Sequence, residues 1–171
     1  MSRLYFAYGS NLPLAAMEGR CPHSKPFSAG TLSGYALVFG PGGYADVRPD
    51  PSGVVQGAVF EIEDEDLRRL DFYEGYPRLY TRFVAPIACD DCVPSAIVYR
   101  MVDDLSTEYA LTNTQYLNVV LRGYADWGLS GDTIVDALKA TKKHLNRAGQ
   151  RATNQIMIPL VEEWHRTAGV D

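Results

Sequence analysis

FAYGSNL, residues 6–12, is the stretch whose reading decides the fold, because a strand ends inside it. Leu4-Tyr5-Phe6-Ala7-Tyr8 is apolar and alternating, which predicts a strand, and it stops at once on Gly9-Ser10-Asn11. A strand end that turns sharply through small polar residues leaves backbone N–H groups pointing into space. Such groups are natural receptors for a carboxylate or a carbonyl oxygen. An ordinary turn is the other reading of the same residues.

Outward from this point the first hundred residues keep a strand character with frequent Gly and Pro punctuation. Strands are expected at roughly 3–8, 27–40, 45–48, 53–62, 79–89 and 93–101, and six short strands predict a barrel or a strongly bent sheet. Pro13 to Arg20 predicts a short helix, with Ser10 or Asn11 placed to cap it and Pro13 tolerated in the first turn. Asp64 to Tyr73 predicts a second, with Leu67 and Leu70 on one face and acidic residues in its first turn. After residue 103 the spacing turns helical: Asn113 to Trp127, Gly131 to Leu145 and Asn154 to Arg166. Gly128-Leu129-Ser130-Gly131 is a joint between two of these helices, and Asn146-Arg147-Ala148-Gly149 is a C-cap signal. The helices are expected to pack on the strand core.

A chain of 171 residues suits one domain with a single substantial core. The net charge of −5 comes from 21 acidic and 16 basic residues, and no run of Lys or Arg is long enough to neutralise a row of phosphates, so nucleic acid is not an expected partner. Lys142-Lys143-His144 reads as a solvated helix face rather than a phosphate site. Met1-Ser2-Arg3 passes directly into a strand without a run of signal-peptide form, and no stretch is long enough to span a bilayer. The expectation is a soluble, cytoplasmic protein with no membrane partner. Three cysteines argue against a disulfide framework. Cys89-Asp90-Asp91-Cys92 lacks the second ligand pair of a structural zinc site. It lies between two alternating runs, Arg82 to Ala88 and Val93 to Met101, as a two-residue hairpin loop does.

Several residues invite nucleophile or phosphate readings and lack the context for them. Cys21 has no recognisable His-and-acid arrangement beside it, although His23 is near in sequence. Ser10 lacks the Gly-x-Ser-x-Gly elbow, and Gly40-Pro41-Gly42-Gly43 is not followed by Lys-Ser or Lys-Thr. Glu74 is different. In Leu70-Asp71-Phe72-Tyr73-Glu74-Gly75-Tyr76-Pro77 a helix ends, Gly75 and Pro77 forbid its continuation, and Glu74 is left at the corner among Phe72, Tyr73, Tyr76 and Tyr80. Aromatic neighbours exclude water and raise a carboxyl pKa toward the range useful for proton transfer. A plain surface glutamate is the alternative. Arg82 either pairs with an acidic neighbour below this corner or lies outside the barrel.

Tyr8-Gly9-Ser10-Asn11-Leu12 after the first strand, with Glu74-Gly75-Tyr76-Pro77 and Tyr80 following about 65 residues on, resembles the γ-glutamylcyclotransferase family and its wider superfamily, which includes γ-glutamylamine cyclotransferases. The resemblance covers roughly residues 3 to 128. It implies an α+β fold: a small mixed six-stranded β-barrel flanked by helices, with additional C-terminal helices. Residues 1–128 would be the barrel domain and 129–171 a helical extension packed on it. The implied activity converts a γ-glutamyl compound to 5-oxoproline and a free amine or amino acid, with no metal and no organic cofactor. Carried across by position, Tyr8, Gly9, Ser10, Asn11 and Leu12 form the substrate-binding loop, Glu74 is the general acid/base, Tyr80 lines the pocket and Tyr116 hydrogen-bonds substrate. The turn N–H groups would bind the substrate α-carboxylate or, alternatively, the oxyanion. The expected partner is a small γ-glutamyl substrate, and a homodimer is compatible with the sequence. The rival class is a non-catalytic module, on the same fold, that binds a small carboxylate or another protein.

Overall fold

The computed structural model describes residues 2–147 together with Val161, Glu163 and Arg166. The strand that opens the chain, β1 (Arg3–Ala7), is the middle of the sheet, as a run with Phe6 and Ala7 wholly buried must be. β2 (Lys25–Phe39) and β3 (Ala45–Ile62) form a long antiparallel pair, and β4 (Tyr80–Pro86) and β5 (Ser95–Met101) a shorter one. The order across the sheet is β2-β3-β1-β5-β4. β1 pairs antiparallel with β3, from Arg3 opposite Ile62 to Ala7 opposite Ala58, and parallel with β5 through Tyr5 and Ile97.

Two expectations about the strands are corrected. The runs expected at 45–48 and 53–62 are one strand, so there are five strands and not six. The chain passes through Pro49 and Pro51 without leaving the sheet because β1 pairs only with residues 58–62 of β3. The far edge of β3 is therefore unpaired at the prolines, where a missing N–H costs no ladder bond. Opposite them β2 shifts register between Ser33 and Tyr35, with Gly34 at φ 81°. The second correction is that the sheet does not close into a barrel. β2 and β4 are its edges, and a single bridge spans the gap: Thr31 N–H to Ala88 O at 2.9 Å and Ala88 N–H to Thr31 O at 3.0 Å. Donors of alternate residues point to the same side of a strand, so the next donor from this chain toward β2 belongs to position 86. Pro86 has none, and the ladder ends after one rung.

Beyond β4 the pairing continues in register through Ile87 N–H to Pro94 O and Cys89 N–H to Cys92 O, both 2.9 Å, around a tip at Asp90-Asp91. The Cys89–Cys92 stretch is thus a hairpin. Among the described residues no group of three His, Cys, Asp or Glu is placed to hold a metal, and no helix is long and apolar enough to cross a membrane.

The helices are α1 (Leu14–Arg20), α2 (Asp64–Tyr73), α3 (Thr114–Asp126) and α4 (Asp132–Arg147). α2 begins with a capping box between Glu63 and Asp66, which satisfies two of its orphan N–H groups. In α3 the cap is Asn113, whose Oδ1 accepts from Tyr116 N at 2.8 Å. α1 departs from expectation, since neither Ser10 nor Asn11 caps it. Pro13 is its N-cap residue, and the N–H of Leu14 is met by Asp126 Oδ2 of α3 at 2.9 Å. α4 lies on β2, where Thr141 Oγ1 accepts from Phe39 N at 3.3 Å and Ile134, Ala137 and Leu138 join the sheet's core. The helix expected over 154–166 lies outside the described residues except for Val161, Glu163 and Arg166, which are helical; Val161 is buried in the same core.

Candidate active site

The carboxyl end of the central strand opens directly onto the turn. Gly9 to Leu12 is closed by a hydrogen bond from Leu12 N to Gly9 O of 2.9 Å. The Leu12 N–H is therefore engaged, while the N–H groups of Ser10 and Asn11 have no acceptor among the described residues. Leu12 does not line the cavity. Its side chain is wholly buried against Gly123, where a Cβ would come within 2.7 Å of it, and its carbonyl accepts from Trp127 Nε1 at 3.0 Å. It anchors the turn to α3. Gly9 has an ordinary negative φ, so its need for glycine is spatial: a Cβ there would meet Ala45 Cβ and Tyr116 Oη, each at 3.2 Å.

Glu74 arrives from the other side of the chain. α2 ends at Tyr73 and Gly75, at φ 65°, breaks the helix, as left-handed backbone just past a helix end does. That places Glu74 as the C-cap residue with its carboxyl turned toward the turn, where Oε1 accepts from Asn11 Nδ2 at 2.7 Å. Asn11 is itself buried and uses its whole amide. The second Nδ2 hydrogen goes to Tyr5 Oη at 2.9 Å, and Oδ1 accepts from Arg20 at 2.6 Å. A guanidinium has no acceptor, so Arg20 fixes which way this amide faces and thereby presents the NH₂ group to Glu74. Arg20 also donates to Ser10 O at 2.7 Å and Tyr73 Oη at 2.7 Å, with its guanidinium 3.9 Å from the centre of the Tyr73 ring. Burial pushes the Glu74 carboxyl up to about 7, against the smaller opposing pulls of the Asn11 hydrogen bond and the Arg20 charge.

A wall of phenols completes a cavity of about 520 Å³. Ala45, the first residue of β3, is held by two of them: Tyr80 Oη donates to its carbonyl at 3.0 Å, and its N–H donates to Tyr116 Oη at 3.1 Å. Tyr116 accepts in that bond, which leaves its own hydrogen to donate. Tyr8 Oη is spent on Tyr99 O at 2.7 Å. The Tyr99 ring meets Tyr5 edge-on at 5.9 Å, and its hydroxyl donates to Asp71 at 2.5 Å. Arg82 resolves the alternatives left by the sequence by donating to both oxygens of Asp71 at 2.7 Å. Burial raises the pKa of Tyr5, Tyr8, Tyr80, Tyr99 and Tyr116, so the cavity presents neutral hydroxyls at physiological pH. Cys21 is buried outside this lining, its thiol pushed up to about 12 by burial, which is the wrong state for a nucleophile.

Of the residues the sequence singled out, Tyr8, Gly9, Ser10, Asn11, Glu74, Tyr80 and Tyr116 all line this one cavity, and Leu12 stands behind it. Tyr5, Arg20, Tyr44, Leu79, Tyr99 and Val119 line it too, and sequence reasoning missed them. Tyr5 carries a faint signal, as a polar-tipped aromatic in the central strand. Arg20 carries none, because a basic residue in the last turn of a helix is ordinary.

A family model described as "Gamma-glutamyl cyclotransferase, AIG2-like" matches residues 5–118. The gamma-glutamylcyclotransferases of Homo sapiens and Bos taurus are 29% and 28% identical to this chain over 139 residues, covering 75% of it and 73% of each relative. A solved structure titled "Gamma-glutamyl cyclotransferase" superposes with a TM-score of 0.69 at 23% identity, over 98% of this chain and 99% of its own. At that identity the superposition speaks for the fold.

Proposed function

The chain belongs to the gamma-glutamyl cyclotransferase, AIG2-like family, and from that premise we propose that it cyclises γ-glutamyl compounds to 5-oxoproline with Glu74 as the proton-transferring group. The observation that carries the proposal is a half-buried carboxyl, raised to about 7, hydrogen-bonded to the turn of the central strand in the same cavity. In a γ-glutamyl substrate the α-amine and the γ-carbonyl belong to one molecule, so no enzyme nucleophile is required. Holding the chain folded supplies much of the acceleration, since well-oriented intramolecular reactions reach effective molarities on the order of 10⁵ M or more.

The remaining difficulty is moving protons. The α-ammonium loses one to Glu74 and becomes the nucleophile. Its nitrogen bonds to the γ-carbon, and the old bond from that carbon to the departing nitrogen breaks. Of the three ammonium protons one stays on the ring nitrogen and two finish on the released amine. A carboxylate between the two nitrogens takes the first and delivers it. The unengaged N–H groups of Ser10 and Asn11 suit the α-carboxylate, a full anion, and the spare hydrogen of Tyr116 suits the oxygen on which charge develops. Asn11 and Arg20 act through Glu74, by orienting its carboxyl and limiting its rise in pKa.

The test is a panel of γ-glutamyl amino acids, amines and peptides assayed for 5-oxoproline directly. Release from at least one is expected. Release from none, with the protein folded, would transfer the cavity to a binding role.

A further inference from the structure

Building on that reading, we infer that the side chain of the group released is apolar: the cavity's outer rim selects γ-glutamyl compounds whose departing amine carries an aliphatic or aromatic side chain. Three apolar side chains from separate elements converge on the mouth, Tyr44 ahead of β3, Leu79 ahead of β4 and Val119 on α3. They are 51%, 54% and 37% exposed, although each borders a cavity that has room for more. Exposed apolar side chains gathered around a concave site mark a surface that a ligand covers. Each is also held in place. The Tyr44 ring stands edge-on to Tyr116 at 5.2 Å, Leu79 is packed so closely on Gly75 that a Cβ there would lie 2.9 Å from it, and Val119 follows Tyr116 by one turn of α3.

Charge points the same way. The charged side chains lining the cavity are Arg20 and Glu74. Arg20 is committed to Ser10, Asn11 and Tyr73, and Glu74 is held on Asn11 for the proton transfer between the two reacting nitrogens. Neither is left to pair with an ionised side chain on the departing group, and the neutral amides of Gln115 and Asn113 are the polar groups beside the apolar rim. A charged or strongly hydrated side chain on the leaving group would lose water there without a matching partner.

The experiment compares kcat/KM for γ-glutamyl-leucine and γ-glutamyl-asparagine, whose departing side chains are nearly equal in size, with γ-glutamyl-alanine as reference. Leucine is expected to be preferred by about tenfold or more, the scale on which a hydrophobic pocket discriminates. Leu79→Asn and Val119→Thr are each expected to move the ratio toward one, and a ratio taken within one preparation is insensitive to the fraction folded. Release from γ-glutamyl-alanine with asparagine equal to or preferred over leucine overturns the inference and leaves the proposed reaction standing. So does a ratio that neither substitution moves. Absence of release from all three, and from every other γ-glutamyl compound, overturns the reaction and the inference together.

Discussion

Replacing Glu74 by Gln should abolish turnover and stabilise the protein, and both effects come from the same burial. Gln keeps the size of the side chain and an oxygen to accept from Asn11 Nδ2, the bond that measures 2.7 Å with Glu74. It cannot take a proton from the substrate ammonium, so loss of a general acid/base lowers the rate by roughly 10² to 10⁴-fold. The stability effect follows from linkage. In the unfolded chain the carboxyl titrates near the ordinary 4.5, and in the folded state near 7, so the folded state holds the proton more tightly. Below the unfolded value the group is neutral in both states and burial costs nothing electrostatically; as pH rises through the folded value the cost grows to its full size. At about 1.4 kcal/mol per pH unit, the rise to about 7 amounts to about 3 kcal/mol above neutrality, an upper bound because water penetrates half-buried sites. Denaturant unfolding of both proteins should show Glu74→Gln more stable by about 2 to 3 kcal/mol at pH 8, with the gap below about 1 kcal/mol at pH 5. Equal stability at pH 8, or retained release of 5-oxoproline, would refute the assignment.

The wild-type kcat/KM should fall as pH drops through about 7, because the base becomes protonated there; a profile flat across neutrality contradicts a Glu74 base. In Asn11→Ala and Arg20→Ala the acidic limb should move to higher pH, since each removes an influence that lowers the Glu74 pKa, and the limb position in a pH–rate series is the readout. Gly9→Ala should displace Tyr116, whose hydroxyl lies 3.2 Å from the new Cβ, lowering turnover with a stability loss of about 1 kcal/mol. Asp71→Asn should cost about 1–3 kcal/mol of stability, by breaking a charge-assisted set of bonds to Arg82 and Tyr99, measured as a shift in unfolding midpoint.

How much of this was legible depended on whether the governing contacts were local. The first strand, its turn, α2 and the break at Gly75 announce themselves, because alternation, capping and left-handed backbone act within a few residues. Asn11 marks the limit. Its position offers it, with Ser10, as a helix cap, and the family resemblance puts it in the substrate-binding loop, yet its side-chain partners are Tyr5, Arg20 and Glu74, the last 63 residues away. The same amide chemistry serves both uses, and only the tertiary arrangement chooses. The open sheet was hidden for a related reason. Strand count and turn spacing do not say whether two edges meet, and here the answer lay in one missing N–H, at Pro86, opposite a strand more than fifty residues earlier. The continuity of β3 through Pro49 and Pro51 was concealed by composition, since proline forbids only a paired N–H and the pairing partner on that side ends at Ala58.

The placement of Arg20 explains how the proposed site would keep a usable base. A guanidinium in direct contact would occupy the carboxylate's acceptor sites, as the geometry at Asp71 illustrates. There Oδ1 receives both Arg82 and Tyr99 and Oδ2 receives Arg82, which takes up three of the carboxylate's roughly four acceptor sites. At Glu74 a neutral amide stands between cation and carboxylate, so the Arg20 charge acts at a distance and burial outweighs it. The carboxyl lines the cavity and is oriented by one hydrogen bond, on Oε1. Arg20 in turn braces the turn itself through Ser10 O, so the element that would hold the substrate's carboxylate and the group that would move its proton are set by one side chain. Orientation without neutralisation is what a carboxylate needs to accept a proton near pH 7 and give it back.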